Sequence, residues 1–155
     1  MLGGMSTNGN PIPITSASSG RSPQETVQAF IHALEELDSD KILSLSAPDI
    51  RWVNAPITTS SNKEQFAKMV RGMLKVVTRF EVQFRDIHEL GDGAVYTDRF
   101  DIIEGRGLKM KIHVIGEFKV KDGLVTEWVD RFSWSSVIGD IAKSLPAMIR
   151  FALKK

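Results

Sequence analysis

The sequence predicts an α+β fold in which a strongly curved, mixed but mostly antiparallel sheet wraps around N-terminal helices, with a further helix ending the chain. Three observations predict it. Apolar residues recur at helical spacing as far as Leu74 and again after Trp134. Between Arg79 and Ser133 they alternate with polar residues instead. Three Gly-containing turns, Gly91-Asp92-Gly93, Gly105-Arg106-Gly107 and Asp122-Gly123, divide that stretch into four long strands.

Met1 to Arg21 is rich in Gly, Ser, Thr, Asn and Pro and reads as a flexible arm ahead of one domain spanning 22–155. Ser22-Pro23-Gln24-Glu25 is a capping box with Pro at the first helical position, and Val27, Phe30, Ile31, Leu34 and Leu37 then form one buried stripe. A short helix is expected over about Asp40 to Ser46, before Pro48, and a strand over Asp49 to Asn54, ended by Ala55-Pro56. Asn62 caps the next helix, whose apolar face is Phe66, Met69, Val70, Met73 and Leu74. The strands follow: Arg79 to Leu90, Ala94 to Glu104, Leu108 to Lys121 and Leu124 to Ser133. Trp134 to Lys155 is the last helix, with Val137, Ile141, Leu145, Met148, Ile149 and Ala152 apolar, and Pro146 is expected to kink it or start a new turn. Long twisted strands with no second sheet to pack on must curl around the helices, leaving a core or a core with a pocket on the concave side.

Composition bounds the function. At 155 residues, 42% hydrophobic, 25% charged and a formal net charge of +1, the chain is globular and has no general attraction for nucleic acid or anionic membranes. The absence of Cys removes disulfides, thiolate nucleophiles, iron–sulfur clusters and Cys-based zinc sites. His32, His88 and His113 are far apart in sequence, so no metal site is expected, and no motif calls for an organic cofactor. No apolar run reaches the ~20 residues of a membrane span, and the N-terminus does not read as a secretion signal, so a cytoplasmic location is expected.

Strand parity locates the chemistry. Val95, Thr97, Arg99, Asp101 and Ile103 share one face; Leu124, Thr126, Trp128, Asp130 and Phe132 share another; Ile50, Trp52 and Asn54 share a third. Asp130 therefore lies between Trp128 and Phe132 on an apolar face, where an unpaired charge costs several kcal/mol. Arg99 is its candidate partner, and Asp101 lies two residues from Arg99 on the same face. Such an Asp–Arg–Asp cluster is either a structural ion-pair network or an acid–base site. On the opposite faces, Arg79, Glu81, Gln83, Arg85, Lys111, Glu117 and Lys119 mix with apolar positions such as Ile115 and Val125, and His113 is expected to point outward.

Tyr96-Thr97-Asp98-Arg99-Phe100-Asp101 and Trp128-Val129-Asp130-Arg131-Phe132, with Asn54 upstream, resemble limonene-1,2-epoxide hydrolases. The resemblance runs from about Ser22 to the C-terminal helix. It implies the cone-shaped, cystatin-like α+β fold of the nuclear-transport-factor-two-like superfamily, shared with ketosteroid isomerases and polyketide cyclases. It also implies one-step epoxide hydrolysis without a cofactor. Asp130 would be the general base, Asp101 the general acid, Arg99 the bridge between them, and Asn54 a holder of the attacking water. The family usually has Tyr two residues before that Asn; here the residue is Trp52, whose indole N–H donates but cannot accept. Ser133 stands where relatives often have an acid.

A pocket lined by Phe80, Val82, Phe84, Val95, Ile103, Ile112, Val114, Trp128 and Phe132, with Phe66, Met69 and Met73 from the helix, would take a small apolar epoxide. The other readings are a ketosteroid isomerase-like or polyketide cyclase-like enzyme and a non-catalytic small-ligand-binding module on the same fold. A homodimer formed through the sheet is expected, with no nucleic acid and no membrane insertion. The basic residues of the last helix (Lys143, Arg150, Lys154 and Lys155) read as a solvated face, with a membrane-surface contact as the lesser reading.

Overall fold

The computed structural model describes residues 20–54 and 58–154. Most of the expected N-terminal arm, the Ala55-Pro56 strand end and Lys155 lie outside the described residues. The elements run α1 (Pro23–Glu35), α2 (Ser39–Ser44), β1 (Ser46–Asn54), β2 (Thr58–Ser60), α3 (Lys63–Leu74), β3 (Arg79–Gly91), β4 (Ala94–Gly105), β5 (Leu108–Lys121), β6 (Leu124–Phe132) and α4 (Trp134–Leu153). One six-stranded sheet has the order β2-β1-β6-β5-β4-β3. Every pairing is antiparallel except β1 with β6.

Local chemistry sets the elements. Ser22 caps α1 reciprocally with Glu25, Asp38 caps α2 through Lys41 N–H, and Asn62 caps α3 through Gln65 N–H. The three hairpins each use two residues with positive φ: Asp92-Gly93, Arg106-Gly107 and Asp122-Gly123. That is the geometry whose twist matches the flanking strands. Inside the curve, Phe30 of α1 packs on Phe66, Phe118 and Trp128, and this aromatic group centres a core with Val27, Ile31, Leu34, Ile42, Ile50 and Val70.

Four details depart from the sequence reading. Strand β1 begins at Ser46 and runs through Pro48, and the short edge strand β2 was not expected. Val125 is fully buried rather than exposed, because β6 carries an extra residue at Thr126: Glu127 pairs with Lys119, but Val125 pairs with Val120. A bulge reverses parity on one side of itself. The same device at Arg85 in β3 separates the pairs Phe84–Arg99 and Asp86–Asp98. Lastly, α2 spans Ser39–Ser44 and so ends before Ser46, while α4 carries Pro146 inside it on an exposed position.

β6 ends opposite Val114, so the first half of β5 has no strand on that side. Helix α4 covers this edge. Asp140 Oδ2 accepts from Lys111 N–H at 2.9 Å, and Ser144 Oγ accepts from Lys109 N–H at 3.0 Å and donates to Lys109 O at 3.1 Å. One helical turn, i to i+4, matches two residues of strand. This places Val137 of α4 against Ile112 and Val114 of the sheet.

Candidate active site

The site starts from Arg99 at the middle of β4. Its side chain is 1% exposed, and Asp101 and Asp130 are 5% and 6% exposed. The guanidinium donates from Nε to Asp101 Oδ1 at 2.8 Å, and from Nη2 to Asp101 Oδ2 at 3.2 Å and to both Asp130 oxygens at 2.9 Å. Nη1 donates to Thr97 Oγ1 at 2.9 Å, and the Thr97 hydroxyl donates to Gly116 O at 3.2 Å. The sequence-derived trio is thus brought together, with Thr97 as a fourth member.

Asp130 is on β6 and Arg99 on β4, with β5 between them, about 10 Å from strand to strand across the sheet. Gly116 of β5, paired with both Thr97 and Asp130, makes the bridge possible. A Cβ there would lie 2.3 Å from Arg99 Nη1, 2.5 Å from Thr97 Oγ1 and 3.0 Å from Asp130 Oδ1. Gly116 was missed in the sequence, although a glycine inside an alternating strand is the available signal for such a close approach.

Burial sets the electrostatics. Removal from water pushes the Asp101 carboxyl up; Arg99 pulls it back, and the Asp130 charge pushes it up again, leaving it at about 6. For Arg99, burial works against the charge, but the two carboxylates outweigh it and hold the guanidinium above its ordinary value. An Arg with one ionised and one protonated carboxyl is neutral overall, the charge state an apolar surrounding favours.

The carboxylates open on a cavity of about 150 Å³, comparable with an engineered void that takes benzene. Its polar lining is Asn54, Asp101 and Asp130. The apolar lining is Trp52, Met73, Phe80, Ile103, Ile112, Val114, Trp128, Phe132 and Val137. Of the expected lining residues, Phe66 and Val95 lie instead in the closed core, and Val82 and Met69 pack against it. Phe84, next to the Arg85 bulge, is 39% exposed. Val137 was known only as an apolar helix position; its place on the wall follows from how α4 sits on β5.

Asn54 pairs with Asp130 across the parallel β1–β6 contact. Trp52 stacks on Trp128 at 4.9 Å, and Trp128 on Phe118 at 5.9 Å, giving three near-parallel rings on adjacent strands. Asn54 Oδ1 and the Nε1 atoms of Trp52, Trp128 and Trp134 are buried without a hydrogen-bond partner among the described residues. Most buried polar atoms of a folded protein are hydrogen-bonded, so Asn54 Oδ1 and Trp52 Nε1, both on the cavity wall, are open to a ligand or water there. Among the described residues no three His, Asp or Glu side chains converge as metal ligands. His113 lies on the outer face, bonded to Asp98 at 2.7 Å. Ser133 is exposed and shares a hydrogen bond with Ser135.

Three comparisons bear on this arrangement. A family model described as SnoaL-like domain matches residues 27–128. Epoxide hydrolase EphG of Mycobacterium tuberculosis is 32% identical over 130 residues, 83% of this chain and 85% of that one. The structure of an LEH-like epoxide hydrolase from M. tuberculosis superposes with a TM-score of 0.73 at 28% identity, covering 82% of this chain and 94% of that one. A putative SnoaL-like polyketide cyclase from Shewanella denitrificans shares the fold, with a TM-score of 0.72 at 15% identity over 78% of this chain and 97% of its own. With a matched family model over most of the domain and a relative aligned along nearly all of it, the chain belongs to the SnoaL-like, nuclear-transport-factor-two-like family and, within it, to the limonene-1,2-epoxide hydrolase-like proteins.

Proposed function

We propose that the protein is an epoxide hydrolase that adds water to a small apolar epoxide in one step to give a vicinal diol. The observation that carries this reading is the pair of buried carboxylates sharing Arg99 on the wall of an apolar cavity. Epoxide opening needs an acid and a base at the same moment. Asp130 takes a proton from water, the water oxygen bonds to an epoxide carbon, the carbon–oxygen bond of the ring breaks, and the ring oxygen takes the proton of Asp101. Arg99 orients both carboxyls through its hydrogen bonds to them. Asn54 and the indole N–H of Trp52, which have no other partner for Oδ1 and Nε1 among the described residues, orient the water.

The supporting relative carries the epoxide hydrolase name at 32% identity. The same fold is shared by proteins named as putative polyketide cyclases, but an isomerase or cyclase working through one acid has no need of an Arg wedged between two carboxyls. A ligand-binding module is favoured by one feature only, Trp52, which fills space and cannot accept a hydrogen bond. The same reading includes a homodimer formed through the outer face of β4–β6, where half-buried Phe100, Ile115 and Val129 interleave with ion pairs. Light scattering at micromolar protein tests it, and a monomeric mass would refute it.

The test of the reaction is diol formation from a panel of apolar epoxides, with Asp130→Asn as the control. Wild-type protein should form diol and Asp130→Asn should be slower by about 10²–10⁴. Undiminished turnover in the variant, or no diol from any member, would sink the reading.

A further inference from the structure

Helix α4 has a face that the fold does not use. Of its twenty residues only Val137 and Ser144 are buried. It is anchored through Asp140 and Ser144 to the edge of β5, and through Ala147, whose carbonyl would lie 2.6 Å from a Cβ on Gly107. Away from that anchor, Ile138, Ile141, Leu145, Ile149 and Leu153 follow one another at intervals of three or four and are 62%, 41%, 52%, 51% and 78% exposed. That is one continuous apolar stripe along the helix, and no described residue covers it. Contiguous exposed patches of this kind mark interaction surfaces.

We infer that this face of α4 docks the protein on an anionic lipid surface. Charge selects the occupant. From Ile141 to Lys154 the helix carries Lys143, Arg150 and Lys154 and no acid. Its one acid, Asp140, accepts the Lys111 amide and lies 3.8 Å from Lys143. Arg106, in the neighbouring turn, borders a surface hollow with Met148, Phe151 and Ala152 and has no acidic partner among the described residues. A second copy packed helix to helix would bring Arg106, Arg150 and Lys154, which have no acidic partner among the described residues, against the same cations of the other copy. An anionic surface neutralises them while the stripe enters the acyl boundary and the long cationic side chains, set on the polar side of the helix, reach round to the headgroups. The helix lies on the surface and does not cross it: Asp140, Lys143, Pro146 and Arg150 interrupt it, and no described helix is long and apolar enough to span. The inference is independent of the reaction proposed above.

The test is co-sedimentation of the full chain with vesicles of phosphatidylcholine, with and without phosphatidylglycerol. Binding to the phosphatidylglycerol vesicles, weakening as salt rises, is the expected result. Lys143→Gln, Arg150→Gln and Lys154→Gln should each weaken it about five-fold. Leu145→Glu with Ile149→Glu should abolish it while the circular dichroism spectrum stays that of the wild type. Equal binding to both vesicles, or binding to neither, overturns the inference. So does a fall in solution mass of the Leu145→Glu, Ile149→Glu variant, which would give the face to a second copy.

Discussion

The two faces of the sheet carry ion pairs of similar length and opposite consequence. On the inner face Arg99 holds Asp101 at 2.8 Å and Asp130 at 2.9 Å, with all three side chains nearly sealed from water. On the outer face His113 meets Asp98 at 2.7 Å and Arg131 meets Glu117 at 2.6 Å, with side chains between 20% and 60% exposed. Distance does not separate the two sets; solvent does. Water screens the outer pairs to about 0–1 kcal/mol each. The inner trio lacks that screening, so each member depends on the others and Asp101 is pushed up to about 6. Chemistry follows from burial, because only a buried carboxyl keeps a proton near neutral pH.

Four experiments break or sharpen this contrast, beginning with the largest expected effect. Arg99→Leu strands two carboxylates in an apolar wall and should cost about 3–5 kcal/mol in unfolding free energy, read from denaturant titration, along with loss of diol formation. A cost below 1 kcal/mol would mean that the trio is wetter than its burial. Gly116→Ala puts a methyl group 2.3 Å from Arg99 Nη1. It should destabilise by about 1–3 kcal/mol, as overpacking does, and slow diol formation at least ten-fold by roughly the same displacement argument. Wild-type kinetics in that variant would show that Arg99 has room to move.

The third experiment uses pH. Asp101 must carry its proton to act as the acid, and it loses that proton as pH rises through about 6. kcat/KM should therefore fall about ten-fold per pH unit above that point, and Asp101→Asn should remove this limb. The sign for stability is the same. The folded state keeps a proton that the unfolded chain gives up near the ordinary carboxylate value, so this group's contribution falls as pH rises from about 4 to about 6. A profile flat to pH 8 would contradict it. The smallest effect belongs outside: His113→Ala and Arg131→Ala should each change stability by about 1 kcal/mol or less, and a larger loss in either would point to burial of the outer face against a partner.

Much of the site was legible because it rests on local rules. Period-two spacing put Arg99 with Asp101 and Asp130 with Trp128, and a charge on an apolar face demands a partner. The reading held for Asp130 because the bulge at Thr126 falls before Trp128; it failed for Val125 because that residue lies on the other side of the same bulge. Phe84 and Val95 were read as pocket wall because alternation marks the inner face but not the depth along it, and Phe66 because helical spacing marks an apolar face in the same way. Phe84 lies beside a bulge and is exposed, and Phe66 and Val95 are packed out of reach.

From sequence alone came the caps of α1 and α3, the positive-φ hairpins, the order of helices and strands, and the three side chains of the trio. Each depends on neighbours within a few residues, where backbone sterics and hydrogen bonding act directly. The tertiary structure decided what those side chains became. It decided that β5 offers a glycine where a guanidinium must cross, that α4 closes one wall while leaving an apolar stripe outside, and that Trp52 stacks on Trp128 beside Asp130. Those outcomes depend on which strands lie side by side and how tightly the sheet curls. Both are settled by burying the whole apolar surface at once, which no local pattern encodes.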